Sequence, residues 1–275
     1  MAKYVIEDTT LNNTANAIRE KTGKTDKITP SNFATEIASI ETGGSSTVTK
    51  GIIVNECDSD GYATDVSVVG MTKLPYLYLG CFNSESYASF IQKNIENVNL
   101  CDGITEIGES CFAYDKKLKT IILPDTVTKI GRYCFRYCEE LMLNKLPSMI
   151  SSLEERCFNG CLKITINEIP ENITTLKASI FEHCNAISEI TCKGIITSIN
   201  SKAFKDCTKL EKFVLTNVTN VPSLDDVNVF LYTPIESGTG YIYVPDALVD
   251  SFKSATNWST YADQIKPISE MEASS

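Results

Sequence analysis

A 23-residue spacing between phenylalanines is the feature that most constrains how this 275-residue chain can fold. Four further apolar columns keep the same register: those at six and eleven residues follow every phenylalanine, and those at fifteen and eighteen follow the first four. A repeat of this length is typical of a solenoid, in which each unit buries its apolar wall only by stacking on its neighbours. The five phenylalanines are Phe112, Phe135, Phe158, Phe181 and Phe204.

The repeat weakens at both ends of this region and has two irregular units inside it. Ile95 and the residues near it match an incomplete first unit, whereas the phenylalanine expected at position 227 occurs as Phe230. Asn144 and Asn167 occupy a column that is apolar in the neighbouring units, where Ile121 and Ile190 are expected to point inward. Two explanations stay open: a local shift of the chain, or buried asparagines that hydrogen-bond the backbone.

The repeat pattern resembles a known family. Ile107-Gly108, Cys111-Phe112, Leu123-Pro124 and Ile130-Gly131 follow the pattern of the BspA-like leucine-rich repeats of bacterial surface and phage proteins. The C-terminal stretch that contains Trp258 resembles the closing unit of the same family. The resemblance implies an α+β fold, with a mostly β leucine-rich-repeat solenoid of 23-residue repeats. It leaves the ligand open, because a fold does not identify what it binds.

Four segments are expected along the chain. Residues 1–42 form an N-terminal strand-helix-helix attachment module, and 43–80 a linker and β-hairpin; 81–240 form the solenoid, and 241–275 a C-terminal capping unit. The helix pair resembles a segment near the start of phage and prophage tail and baseplate proteins of Gram-positive gut bacteria. A module of this size is small for independent stability, so its apolar residues are expected to contact another chain. These residues are Leu11, Ala15, Ile18, Phe33, Ile37 and Ile40.

Composition narrows the classes of partner. The net charge of −10 disfavours nucleic acid and anionic membrane surfaces, both of which require a basic face. The N-terminal sequence has no signal-peptide pattern, and no apolar run is long enough to span a membrane. We therefore expect synthesis in the bacterial cytoplasm without a signal peptide.

Eleven cysteines and one histidine are the candidates for chemistry. Cys134 and Cys138 have a spacing that zinc sites use, and disulfides are a further alternative. Seven cysteines, however, fall into two repeat columns, one of which also holds Ile180 and Ala203. Core packing as a small apolar residue is therefore the preferred interpretation. His183 lies in a variable turn column and is expected at the surface.

The outward positions of the first strand in each unit form the candidate interaction surface. Their mixture of apolar and charged side chains is compatible with binding, and equally with an ordinary solenoid face. These positions are Thr120, Ile122, Leu143, Lys145, Ile166, Glu168, Glu189, Thr191, Lys212 and Val214.

The functional expectation is a non-enzymatic, phage tail-associated structural or receptor-binding protein. Its N-terminal module anchors it to the tail, and the solenoid presents a host-recognition surface. Its partners are other tail or baseplate proteins and a host surface protein or glycan; it is a homo-oligomer in the virion, with no cofactor, metal, nucleic acid or membrane insertion. The alternative is a bacterial cell-surface leucine-rich-repeat adhesin or interaction module.

Overall fold

A column of stacked phenylalanine rings runs through the centre of the molecule. The computed structural model describes residues 4–6, 51–57, 63–74 and 95–272. Neighbouring ring centroids lie 5.2–5.8 Å apart, with interplanar angles of at most 14°. Each such contact contributes about 0.5–1.5 kcal/mol beyond the burial of the rings. The six rings are Phe112, Phe135, Phe158, Phe181, Phe204 and Phe230, so the late register slip leaves the stack intact.

Short strands surround this column on two faces. The first face contains β1 (Tyr4–Ile6), β2 (Gly51–Cys57), β3 (Ala63–Val69), β5 (Asn97–Leu100), β7 (Thr120–Ile122), β10 (Glu168–Ile169), β12 (Glu189–Cys192), β14 (Lys212–Leu215), β16 (Tyr241–Val244) and β17 (Ile265–Pro267). The second contains β4 (Lys73–Leu74), β6 (Glu106–Ile107), β8 (Lys129–Ile130), β9 (Ser152–Leu153), β11 (Thr175–Leu176), β13 (Ser198–Ile199) and β15 (Ser223–Leu224).

The strands form four sheets, in the orders β1-β2-β3-β5-β7, β10-β12-β14-β16-β17, β4-β6-β8-β9 and β11-β13-β15. Pairing is parallel except for β1 with β2 and β2 with β3. Val98 pairs with Ile121, which lies 23 residues later, so the sequence period is the coil length. The described part of the chain is thus mostly parallel strands with few helices.

Helices are confined to the C-terminal end of the described residues. They are α1 (Val249–Ser254), α2 (Ile268–Glu272) and two short 3-10 helices, Asp246–Leu248 and Trp258–Tyr261. Trp258 is buried and donates a hydrogen bond from Nε1 to the Pro222 carbonyl at 2.7 Å, which ties this end to the last repeats. Within the described ranges, no helix is long and apolar enough to cross a membrane.

The predicted hairpin is present as β2 and β3, and β3 continues into the repeat sheet by pairing in parallel with β5. The predicted helices of residues 1–42, including all six expected attachment contacts, lie outside the described residues. The four segment boundaries therefore remain predictions.

Three of the ten positions expected to face outward are buried, which corrects that part of the prediction. Leu143 and Ile166 point into the core because the chain shifts by one residue in these two units, leaving Asn144 and Asn167 exposed. Of the two explanations for these asparagines, the local shift is the one observed. Val214 is buried because it lies on a central strand, between paired neighbours on β12 and β16.

The cysteine column three residues after each phenylalanine forms its own ladder. Each thiol donates a hydrogen bond to a phenylalanine carbonyl oxygen one coil earlier, with Sγ–O distances of 3.0–3.1 Å. Each of these carbonyls also accepts the backbone N–H three residues later, for example that of Cys138 to Phe135 at 3.0 Å, so the thiol adds a second hydrogen bond. Cysteine thus supplies a weak donor between coils as well as a side chain of suitable size. Its members are Cys138, Cys161, Cys184 and Cys207.

Asp115 replaces cysteine in the first complete unit of this column. Its side chain is buried, and neither carboxyl oxygen has a hydrogen-bond partner among the described residues. Burial raises the pKa of Asp115 from an ordinary 3.8 to about 8, although the nearby backbone amides of Lys117 and Leu118 oppose the shift. The folded protein thus holds a proton that the unfolded chain has lost at neutral pH.

This raised pKa predicts a pH-dependent contribution to stability. Between pH about 4 and about 8 the unfolded chain ionises Asp115 while the folded protein does not, so stability falls as pH rises and levels off above about 8. Asp115→Cys should abolish this contribution. Urea unfolding measures the free energy of unfolding at about pH 5 and about pH 8.5. The loss of this free energy between the two pH values should be smaller in the variant than in wild type by on the order of 3 kcal/mol.

Asp125→Asn is the matched control, because hydrogen bonds from Ser148 lower rather than raise the pKa of exposed Asp125. This variant should leave the change in the free energy of unfolding between these two pH values as it is in wild type. An Asp115→Cys variant with the wild-type difference would contradict the buried neutral carboxyl.

Candidate interaction groove

The sheets of both faces are interrupted at the same place in the solenoid. On the first face, no strand lies between β7 and β10, and on the second face β9 does not pair with β11. Met142 N–H donates to the Lys119 carbonyl at 2.9 Å, and Thr165 N–H donates to the Leu143 carbonyl at 2.9 Å. Beyond these two bonds, the backbone N–H groups of residues 144–146 donate no hydrogen bond within the described part of the chain.

The one-residue shift explains this interruption. In a regular strand alternate residues face the core, but here two consecutive residues, Asn144 and Lys145, both face solvent before Leu146 turns inward. We call this shifted pair a bulge because it disrupts the hydrogen-bond ladder locally, although the coil keeps its 23-residue length and gains no residue. Asn167 and Glu168 repeat the same exposed pair one coil later. The interruption of the first face therefore follows from two matching bulges in adjacent units.

A groove of about 800 Å³ lies over these bulges and crosses four coils. Its lining is mostly amide, charged and hydroxyl side chains, with Leu146 and Pro170 as apolar members. The remaining lining residues are Asn144, Lys145, Ser148, Asn167, Glu168, Glu171, Lys193 and Asn217.

Part of the groove wall is held in place by contacts between coils. Lys193 Nζ lies 3.5 Å from Glu168 Oε2, and Asn217 Nδ2 donates to the Lys193 carbonyl at 2.7 Å. Gly194 permits this packing, because a Cβ there would lie 2.3 Å from the Glu171 carbonyl oxygen. Lys193 is therefore positioned by the coils on either side of it.

The two bulge asparagines are the exposed, uncommitted polar groups of the groove. Neither the Asn144 nor the Asn167 carboxamide forms a hydrogen bond with another described residue. Each carboxamide offers two donor hydrogens and an acceptor oxygen. The Asn144 carboxamide is adjacent along the chain to backbone N–H groups that donate no hydrogen bond among the described residues, and Asn167 lies one coil later.

The groove includes two of the ten surface positions predicted from the sequence, Lys145 and Glu168. Sequence reasoning missed the others, although two asparagines 23 residues apart in an apolar column were a usable signal. Five predicted positions are exposed or half-buried on the first face but do not line the groove: Thr120, Ile122, Glu189, Thr191 and Lys212.

The cysteines and the histidine occupy different environments. Eight of the nine described cysteines are buried, Cys101 is partly exposed, and none of the nine forms a disulfide. His183 is partly exposed at a turn with φ of 63°, and its ring lies near Glu182 and Asp206. These three residues are close enough to share an ion, but Lys205 Nζ already lies 3.4 Å from Glu182 and 3.2 Å from Asp206. The lysine ammonium supplies the positive charge of this cluster.

Thiol titration tests the packing of the cysteines. Burial raises the pKa of Cys161 and of the other buried column thiols, which disfavours the reactive thiolate. In the native protein a disulfide reagent should react rapidly with no thiols other than those of Cys101, Cys57 and Cys81; the last two side chains lie outside the described residues. All eleven should react in guanidinium chloride without a reductant. Thiols that react after denaturation only once a reductant is added would contradict this packing.

One protein-family model matches part of the repeat region. Residues 83–211 match, in six copies, the family model described as "BspA type Leucine rich repeat region". No curated protein matches the chain.

Several solved structures are similar to this chain. A leucine rich cell surface protein from Faecalibacterium prausnitzii A2-165 has 19% identity and a TM-score of 0.46, over 72% of this chain and 53% of that protein. A leucine-rich repeat protein from T. pallidum has 15% identity and a TM-score of 0.47, over 74% and 91%. One from Bacteroides ovatus ATCC 8483 has 21% identity and a TM-score of 0.43, over 74% and 60%. The match thus spans about half the length of the F. prausnitzii protein.

Proposed function

We propose that this chain, whose residues 83–211 match the BspA-type leucine-rich repeat model, is a non-enzymatic interaction protein of the bacterial cell surface. Its groove binds an extended segment of a partner protein. The observation that supports this most directly is the cluster of unpaired hydrogen-bond groups at the two bulges, formed by the Asn144 and Asn167 carboxamides and the backbone of residues 144–146.

The chemistry of the groove favours binding over catalysis. Carboxamides do not titrate, so they supply hydrogen bonds rather than general acid or base groups. An extended peptide presents alternating backbone N–H and C=O groups, and proteins recognise such segments through main-chain hydrogen bonds. Lys145 and Lys193 add donors along the same groove. The groove therefore offers a peptide both backbone and side-chain partners.

A phage tail-associated role is the second hypothesis. It rests on the sequence resemblance of the N-terminal helix pair to tail and baseplate proteins, and it requires residues 1–42 to anchor the chain in a homo-oligomeric tail. The cell-surface role comes first because it rests on the repeat region, whereas the tail role rests on residues 1–42, whose helices lie outside the described residues. The cell-surface role also requires a route of secretion. In both roles the solenoid is the binding part.

Mass spectrometry of fractionated source cells distinguishes the two locations. The cell-surface proposal predicts the protein in the washed surface fraction and its absence from purified phage particles. Enrichment in particles together with tail proteins would replace this proposal by the tail hypothesis.

Variants of the groove test the binding role itself. Asn144→Ala combined with Asn167→Ala should weaken binding of purified protein to intact cells or to an immobilised peptide array by at least about tenfold, since several hydrogen bonds are lost. Lys193→Ala should weaken it less. Flow cytometry or array intensity measures the change.

Lys177→Ala is the matched control, because Lys177 forms a similar inter-coil ion pair with Glu154, at 2.7 Å, on the second face. It should leave binding unchanged. Equal losses for the Lys177 and groove variants, or preferential binding to glycans, would contradict a peptide site in the groove.

A further inference from the structure

A second surface gathers three of the four arginines of this acidic chain around three tyrosines. It lies at the turns that carry the central phenylalanines, and none of its members lines the groove. We call it the Arg-Tyr surface; its residues are Tyr114, Arg132, Tyr133, Arg136, Tyr137 and Arg156.

Arg136 is the centre of this surface. Its guanidinium carbon lies 4.9 Å from the ring centre of Tyr137, 5.3 Å from that of Tyr133 and 5.5 Å from that of Tyr114. The Tyr114 and Tyr137 rings also contact each other, with centroids 5.2 Å apart. Three aromatic contacts fix the plane of the guanidinium before any ligand arrives, which lowers the entropy cost of binding.

The next coil leaves room for this arrangement. Position 160 is glycine, with φ of 77°, and a Cβ there would lie 2.4 Å from Cδ1 of Tyr137. Any larger residue would displace the ring that lies against Arg136. The absent side chain at Gly160 thus contributes to the shape of the Arg-Tyr surface.

The three arginines differ in their charge partners. Arg132 and Arg156 both form ion pairs with Glu155, and Arg156 Nη1 also donates to the Tyr133 hydroxyl at 3.1 Å. Arg136 forms no ion pair or hydrogen bond through its side chain within the described ranges, and its buried Nε has no acceptor there. An unpaired guanidinium in a fixed orientation is positioned to form charge-assisted hydrogen bonds with an anion.

We propose that Arg136 binds the carboxylate of an aspartate or glutamate on a partner polypeptide. A carboxylate matches the planar fork of the guanidinium and accepts two parallel hydrogen bonds. The tyrosine rings contact the methylene groups of the same aspartate or glutamate side chain. This site is independent of the proposed groove, so either can fail without the other.

The surrounding charges favour a single carboxylate over a polyanion. Glu155 is shared by two arginines, and Glu139 lies 2.6 Å from Lys116, so the rim carries both signs. An acidic polysaccharide or nucleic acid would bring further negative charges against these carboxylates. A peptide with one acidic residue brings a single carboxylate, which contacts Arg136 and adds no negative charge beside the glutamates.

An NMR titration of the arginine Nε–H signals tests this site in the full chain. The probe is the peptide acetyl-Gly-Gly-Glu-Gly-Gly-amide, and its glutamine counterpart is the control ligand. We expect the glutamate peptide to shift the Arg136 signal saturably, with the glutamine peptide at least about tenfold weaker. Equal affinity for both peptides would overturn the proposal.

Variants separate recognition from folding. Arg136→Lys keeps the charge but loses the planar fork, and it should weaken glutamate-peptide binding at least about fivefold; Arg136→Gln should abolish it. Lys212→Gln is the control, because it also removes one positive charge but lies outside the Arg-Tyr surface, where Lys212 Nζ pairs with Glu189 Oε2 at 3.2 Å; it should bind as wild type. Circular dichroism should show the same fold for all three.

Two further ligands complete the test. Sodium acetate should compete with the peptide more weakly than unlabelled peptide does, because it lacks the side-chain and backbone contacts. Tighter binding of polygalacturonate than of the peptide, or displacement by sulfate at the same concentration as by the peptide, would assign the surface to polyanions or to free ions and overturn the proposal.

Discussion

The continuous phenylalanine column is the constraint on which the rest of the structure depends. Six rings stack in one line, and the turns that carry them remain hydrogen-bonded from coil to coil: Phe135 N–H donates to the Cys157 carbonyl at 2.8 Å, and Phe158 N–H to the Ile180 carbonyl at 3.1 Å. Both contacts cross the region where the two strand faces are interrupted. The repeat can therefore lose its sheet locally without losing its core.

This tolerance makes the groove possible. A bulge in an ordinary parallel sheet would leave backbone groups unpaired and weaken the fold, whereas here the stacked rings and the cysteine ladder hold the coils together. The Cys161 thiol, for example, donates to the Phe135 carbonyl at 3.0 Å across the coil that lacks a first-face strand. The backbone N–H groups of residues 144–146 stay unpaired among the described residues, beside the exposed Asn144 side chain. The same turns also support the Arg-Tyr surface.

The sequence predicts the periodic part of this structure well. A constant 23-residue repeat places equivalent positions at the same depth in successive coils. The places of the phenylalanines, the cysteines and the strands therefore follow from spacing alone. The groove is harder, because alternation assigns Leu143 and Ile166 to the outside, and only the energy of burying them rather than Asn144 and Asn167 decides the shift. The 23-residue spacing also places Tyr114 beside Tyr137 and Tyr133 beside Arg156. The position of Arg136 among three rings depends on how the turns of adjacent coils approach, which spacing does not encode. Val214 is buried for a similar reason, through its position on a central strand.

Hydrogen exchange measured residue by residue tests the central claim. This claim is that backbone pairing is lost on the strand faces at the interruption while the phenylalanine column stays packed. In the native protein the amides of residues 144–146 should exchange as unprotected groups, and those of Phe135 and Phe158 should exchange only through global unfolding. Similar protection at both places would contradict the account, because the coils would then be paired across the groove and the proposed binding groups would already be occupied.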